Sequence, residues 1–361
     1  MKSKDKKIFV PDSANRLYDS KSEALTSKKT AFELKICPNS GIRVNTTNEL
    51  ISFNDGYLPS QNSSKIYETN TENMIELLAK FVPREKRIRE MGCGNGIFLE
   101  ELQRKGFTDL HGYDASCTEN NDLVSNRYLN NSDFPLNSDV IILRHVLDEV
   151  PSPISFLNKI FEINSKPFLL FMEIVSFDQV IASKRAWDLS NERIYYFTES
   201  SIRRTFGSSI KELAYTAENQ NMLISIDFNA QLTKELNPTH SDYESVTHLI
   251  KSLDKQIKQL KKLLRNNEYV IWGGSSKGVT FSFFCTERYG IAPPLGIIDS
   301  DLKRQGKFIH TSGVKIFSPK EGLSLLTEND VLVISNPVYK DEILNTIKKT
   351  TQSKIRVIAL P

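Results

Sequence analysis

The sequence predicts an α/β protein: a doubly wound sheet, a second and smaller α/β domain after it, and a small polar module in front. Three observations carry this reading. Short, almost wholly apolar runs alternate with helix-patterned segments from Glu72 to Met172. The alternation restarts at Tyr269 after a long amphipathic stretch. The opening 66 residues are instead polar, rich in Lys, Ser, Thr and Asn, with only brief strand-like pieces.

In chain order, residues 1–66 form an N-terminal arm or module with strand-like pieces at Phe32–Ile36 and Leu50–Phe53. Met74, Ile75, Leu77, Leu78 and Phe81 recur at helical spacing, and Pro83 ends that run. A domain over residues 67–230 then reads as a strand at Ile88, a glycine turn from Gly92 to Gly96, a helix through Phe98, Leu99 and Leu102, and a strand at Leu110–Tyr113. The run Asp139–Leu143 has the continuous apolar character of a central parallel strand covered on both faces. A helix near Ile154–Ile163 and a strand at Phe168–Met172 follow. Residues 231–266 are a polar linker and a connecting helix, whose Val246, Leu249, Ile250, Leu253, Ile257, Leu260, Leu263 and Leu264 share one face. Residues 267–361 make the second α/β domain, with no repeat period anywhere.

Composition narrows the function. The chain of 361 residues is 39% hydrophobic and 25% charged, enough apolar material for real cores. The 47 Lys and Arg against 44 Asp and Glu leave a net charge of +3, no footprint for tracking a phosphate backbone, so nucleic acid is not the expected partner. No run approaches the roughly 18 apolar residues of a membrane span, and no signal-like stretch follows the charged start, so a cytoplasmic monomer or homodimer is expected. Cys37, Cys93, Cys117 and Cys285 stand singly, which gives neither a disulfide framework nor a zinc site.

The chemistry concentrates at Glu90-Met91-Gly92-Cys93-Gly94-Asn95-Gly96, a strand-to-helix turn whose glycines let the backbone approach a ligand. Asp114, about twenty residues on and ending the next strand, has the place of an acid that accepts both ribose hydroxyls of an adenosine ligand. That geometry suits a dinucleotide or S-adenosylmethionine. Glu90 favours the second, because a carboxylate beside the turn repels a pyrophosphate but attracts a cationic amino-acid group. Cys93, Ala115 and Arg144 join the cofactor-binding set. His145, directly after the central strand at the ligand-binding edge of the sheet, is the leading catalytic candidate; Glu149 and Glu173 are weaker ones.

Residues EMGCGNGIFLEEL and GYDAS resemble motifs I and II of class I S-adenosylmethionine-dependent methyltransferases. Residues 138–150 (SDVIILRHVLDEV), 57–64 (YLPSQNSS) and 187–198 (WDLSNERIYYFT) narrow the resemblance to the methyltransferases of sugar C-methylation. The segments IWGGSSKGVTF, IIDSDLKRQGKF and VLVISNPVYKDEIL are similar to that family's C-terminal domain. The resemblance implies a Rossmann-like methyltransferase domain, a smaller Rossmann-like C-terminal domain and a sugar or nucleotide-sugar acceptor. It also implies Gln61 and Ser64 beside the cofactor, and Tyr57, Asn191, Tyr196 and Lys277 beside the substrate, Lys277 meeting a diphosphate.

The departures fall where the family does its chemistry. Only Cys37 stands where two cysteine pairs hold zinc, so no zinc is expected. Arg193 replaces the family's histidine base and Asn191 a tyrosine, while Asp148-Glu149 replaces a Glu-His pair. Arginine stays protonated and cannot serve as a base. Arg193, able to clamp an anion, and Glu192 remain in the catalytic set with His145, and O- or N-methylation stands beside C-methylation. A non-catalytic cofactor-binding homologue and, less favoured, a dinucleotide-dependent oxidoreductase are the alternatives.

Overall fold

The computed structural model describes residues 8–47, 56–58, 64–232, 247–263, 267–351 and 354–361. The expected strand at Leu50–Phe53 and the residue Gln61 lie outside them.

In the N-terminal module β1 (Ile8–Pro11) pairs antiparallel with β2 (Lys29–Phe32), with α1 (Lys21–Leu25) between them, started by a capping box of Ser20 and Glu23. β3 (Leu34–Ile36) and β4 (Arg43–Asn45) form a hairpin whose tight turn is closed by Cys37 N–H to the Ile42 carbonyl at 2.8 Å. The third strand of that small sheet is Tyr195–Tyr196, contributed from far along the chain.

The large domain opens with α2 (Lys65–Ala79), which begins earlier than its apolar spacing suggests because the Ser64 hydroxyl caps the Tyr67 N–H. Then come β5 (Arg87–Met91), α3 (Ile97–Arg104), β6 (Asp109–Tyr113), β7 (Val124–Ser125), β8 (Val140–Arg144), α4 (Pro153–Asn164), β9 (Phe168–Val175), α5 (Phe177–Ala182), β10 (Tyr195–Tyr196) and α6 (Glu199–Phe206). A hairpin of β11 (Ile210–Thr216) and β12 (Asn221–Phe228) completes it. The seven strands run β11-β12-β9-β8-β5-β6-β7, with β12 antiparallel to both neighbours. The chain therefore reverses direction across β5, which leaves a crevice at the carboxyl ends of β5, β6 and β8.

After α7 (Thr247–Leu263) the C-terminal sheet is all parallel: β13 (Tyr269–Trp272), β14 (Gly296–Ile298), β15 (Ile316–Phe317), β16 (Val331–Ile334) and β17 (Arg356–Ala359), in the order β15-β14-β13-β16-β17. α8 (Ser276–Phe283), α9 (Pro319–Ser324) and α10 (Lys340–Thr350) are its helices. This is the order β7-β6-β5-β8-β9 of the large sheet repeated without the antiparallel pair.

One hydrophobic cluster joins all three parts. Val10 and Phe32 from the N-terminal module, Phe177, Trp187 and Tyr196 from the large domain, the buried face of α7, and Tyr269, Phe281 and Ile297 from the C-terminal domain pack together. The Trp187 and Phe281 rings meet edge to face at 5.5 Å. α7 is thus a structural strut, its apolar face spent inside the chain.

Candidate active site

The carboxyl ends of β5 and β6 set the site. Gly92 (φ +71°) and Gly96 (φ +85°) take a left-handed backbone that side chains rarely adopt, and a Cβ on Gly92 would lie 2.4 Å from Val146 Cγ2. The turn closes on Asp114, whose Oδ2 accepts the Gly94 N–H at 2.7 Å while Oδ1 accepts the Ser116 N–H and hydroxyl at 2.7 and 2.6 Å. Each carboxylate oxygen has lone pairs left for a ribose hydroxyl. A cleft of about 420 Å³ lined by Cys117, Glu119, Asn121, Val124 and Asn126 adjoins this strand end.

Glu90 is fully buried, and its Oε1 accepts Arg144 Nε at 2.8 Å. Burial pushes its carboxyl up and the guanidinium of Arg144 pulls it back only in part. Arg144 in turn lies 4.1 Å over the Phe98 ring. Among the described residues Glu90 Oε2 has no hydrogen-bond partner. An unpartnered buried oxygen beside a glycine turn that no Cβ can enter fits the ammonium end of an S-adenosylmethionine molecule.

His145 holds φ +53°, its N–H bound to the Glu173 carbonyl at 2.8 Å, and its imidazole is exposed toward the crevice. The Glu173 carboxylate lies 3.6 Å from His145 Nε2, while its Oε1 accepts Asn221 Nδ2 at 2.8 Å. An exposed imidazole backed by a fixed carboxylate can orient or accept a polar acceptor group.

A network of polar contacts ties the three parts of the chain together. Glu192 Oε1 accepts the Ser13 hydroxyl at 3.0 Å and the Asn15 N–H at 2.9 Å, and Oε2 accepts the Ser190 hydroxyl. Asn15 Oδ1 takes the Ser276 N–H at the start of α8 at 3.1 Å. Arg304, buried in the C-terminal domain, donates to the Gly274 carbonyl at 2.8 Å and to the Leu58 carbonyl. Lys277 reaches back to Gln220 Oε1 and lies 3.7 Å from Asp188 Oδ1.

Residues 65–208 match the family described as methyltransferase domain. With the glycine turn, the acid at the end of β6 and the strand order already in place, this decides the matter. The chain carries a class I S-adenosylmethionine-dependent methyltransferase domain. Two solved structures are among those similar to part of this chain. The magnesium protoporphyrin IX methyltransferase of Synechocystis PCC 6803, bound to S-adenosylhomocysteine, is 13% identical over 47% of this chain and 90% of its own, with a TM-score of 0.34. A possible histamine N-methyltransferase of Thermotoga maritima is 15% identical over 44% and 89%, with a TM-score of 0.32. No curated protein matches.

Around the methyltransferase cradle the structure gathers Glu90, Gly92, Gly94, Gly96, Asp114, Ala115, Arg144 and His145 at adjoining strand ends. Cys93 is there as packing: its buried thiol fills the space where a Cβ on Gly112 would fall, 2.4 Å away, and burial pushes it up out of the thiolate range. Ser64 serves as the cap of α2.

Other sequence-derived assignments change. Glu192 is not a free acid–base group, because both its oxygens are occupied by donors that fasten the N-terminal module. Asn191 is fully buried and gives its amide to the Asp12 carbonyl at 2.9 Å, so it is a fastener as well. Tyr196 is a core residue: its hydroxyl donates to the Ser190 carbonyl at 3.0 Å and accepts the Ser190 N–H at 2.9 Å. Arg193 pairs with Asp148 at 3.0 Å and donates to the Asp188 carbonyl at 3.1 Å; burial pulls its pKa down, but the acids around it outweigh this and hold it charged. Lys277 is enclosed by Asp188 and Gln220, and the N-terminus of its helix is filled by Asn15, which leaves no open cation for a diphosphate there. Tyr57 is half-buried, with burial first and then Glu149 and Glu192 keeping its phenol protonated.

No group of three His, Cys, Asp or Glu among the described residues is placed to hold a metal, and none of their helices is long and apolar enough to cross a membrane.

Proposed function

We propose that the chain transfers a methyl group to a hydroxyl or amine of a sugar, nucleotide-linked in keeping with the resemblance, in the cleft beside the methyltransferase cradle. The observation that carries this reading is the cradle itself, with Glu90 Oε2 unpartnered among the described residues beside the glycine turn and His145 exposed at the same sheet edge, while Asn15, Glu192, Ser276 and Lys277 tie the other two parts of the chain to the large domain. Bound S-adenosylmethionine supplies a methyl on a sulfonium, ready for in-line displacement. Asp114 holds the ribose, Glu90 the amino end, and His145 with Glu173 faces the acceptor. Alignment of donor and acceptor in a closed space is worth on the order of 7 kcal/mol of barrier, most of what this displacement asks of a protein. Heteroatom methylation is favoured over carbon methylation because Arg193, in the place of the family's base, is tied to Asp148 and permanently charged. That same pair is what favours the second reading, a homologue that binds cofactor without turnover.

Calorimetric titration with S-adenosylmethionine, S-adenosylhomocysteine and NAD, then mass spectrometry of a panel of nucleotide sugars incubated with the methyl donor, tests the proposal. Binding of the sulfonium pair and a gain of one methyl by a panel member is the expected result. Binding without any methylated sugar overturns the acceptor class, and binding of NAD alone overturns the cofactor assignment.

A further inference from the structure

Glu149 sits in the turn that leaves β8, its N–H bound to the Val146 carbonyl at 3.0 Å. Val146 is the residue whose side chain lies over Gly92. Glu149 is therefore one turn beyond the edge of the cofactor cradle, on the side where the N-terminal module closes the cleft. The groups facing it are Asp148 beside it in the same turn, Glu192 and Arg193 from the segment before β10, and Tyr57 from the N-terminal module, which Arg304 of the C-terminal domain also approaches.

The acids nearest the cleft each engage at least one donor, although Glu90 Oε2 and Asp148 Oδ1 have no partner among the described residues. Glu90 holds Arg144, Asp114 holds Gly94 and Ser116, Asp148 holds Arg193, Glu173 holds Asn221, and Glu192 holds Ser13, Asn15 and Ser190. Glu149 makes no side-chain hydrogen bond or ion pair with any described residue and is partly accessible, in the turn that follows the ligand-binding edge of β8. Burial and then the negative neighbours Asp148 and Glu192 raise its proton affinity well above that of an ordinary glutamate, with Arg193 opposing. A carboxylate made more basic in an enclosed site is the form in which glutamate works as a base near neutrality.

We propose that Glu149 faces the transferring methyl and takes the proton that the acceptor gives up. The proposal rests on the methyl-transfer reading of this cleft. An acceptor oxygen or nitrogen lone pair forms the new bond to the methyl carbon, the carbon–sulfur bond breaks with its electrons passing to sulfur, and the acceptor's proton moves to a Glu149 oxygen. Charge balances: the sulfonium is neutralised as the carboxylate is protonated. Glu149 does what the arginine at position 193 cannot.

The test uses the full chain and the variant Glu149→Gln, which has the shape of the neutral acid. Each is titrated calorimetrically with S-adenosylmethionine and with S-adenosylhomocysteine, near neutral pH, in buffers of different ionisation heat. The positive sulfonium beside Glu149 favours its ionised form, so S-adenosylmethionine releases a fraction of a proton that S-adenosylhomocysteine does not. Glu149→Gln abolishes that difference while its affinity for S-adenosylhomocysteine stays within about threefold. Equal proton release in both proteins, or no difference between the two ligands in the wild type, overturns the proposal. Failure of both proteins to bind either ligand instead overturns the methyl-transfer reading beneath it. On a nucleotide sugar that gains a methyl in the panel, Glu149→Gln lowers turnover by about a hundredfold or more and removes the acid limb of the pH profile. Glu149→His keeps a measurable part of the rate with the limb moved, whereas unchanged turnover in Glu149→Gln overturns the role.

Discussion

Asp114 and Glu192 are both acids near the cleft, and they illustrate what single residues disclose. Asp114 is legible because its partner, Gly94, lies on the neighbouring strand end of the same unit, at a spacing that the chemistry of adenosine ligands dictates. Glu192 is not, because its partners Ser13 and Asn15 come from 179 and 177 residues away and nothing local announces them. The same holds for Lys277, whose partner Gln220 is 57 residues distant. Glu149 was readable only as one surface-prone glutamate among several until the fold enclosed it. At this scale Asp114→Ala removes the clasp on Gly94 and, with it, the proposed ribose acceptor. Affinity for S-adenosylhomocysteine falls on the order of a hundredfold, or about 3 kcal/mol, in a protein that calorimetry shows to melt cooperatively. Gly92→Ala forces a Cβ to within 2.4 Å of Val146 Cγ2 at φ +71°, and the expected cost is about 2 kcal/mol of stability, read from denaturant midpoints.

Elements with a strong apolar period were legible to within a few residues. β8 and β9 are buried on both faces and read as continuous apolar runs, and α7 shows its period over seventeen residues. The β11–β12 hairpin was not read. β11 carries Lys211, Glu212 and Tyr215 on an edge, a pattern that competes equally as helix or loop, and β12 becomes a strand through its eight-residue pairing with β9. The small sheet of the N-terminal module is similarly opaque because its third strand is borrowed from residues 195–196. Helix placement makes its own prediction. α8 crosses the end of β13 so closely that a Cβ on Gly278 would fall 1.9 Å from the Gly273 carbonyl oxygen. Gly278→Ala therefore displaces α8 and costs about 3 kcal/mol or more, seen as early loss of hydrogen-exchange protection in residues 269–283.

The whole molecule was the least legible level, since three segments that read as separate units share one core. Electrostatics fasten them further. Burial pushes the Asp188 carboxyl up, but Lys277, Arg185 and Arg193 outweigh it and hold it below the usual range. A carboxyl whose folded pKa is depressed contributes stability that is present above its unfolded value, near 4, and is lost as pH falls through the folded value. Melting temperature should therefore drop below about pH 4 as the contact between the C-terminal domain and Asp188 is protonated. Asp188→Asn removes that part of the pH dependence and, by leaving Arg185 and Lys277 short of their counter-charge, costs about 3 kcal/mol at neutral pH. Glu149 has the opposite sign: its raised pKa gives stability at low pH that fades as pH rises, so Glu149→Gln melts higher than the wild type at about pH 8.

Asn15 touches Glu192 through its backbone and Ser276 through its side chain, 177 and 261 residues further on. During synthesis, at roughly 5–20 residues per second, the first of these partners leaves the ribosome many seconds after Asn15 and the second later still. The large sheet is complete before Ser276 is made, but the bond between Asn15 and the start of α8 waits for the C-terminal domain. Newly made chains should thus complete the large sheet before the early segment around Asn15 is captured, a late contact of very long sequence separation.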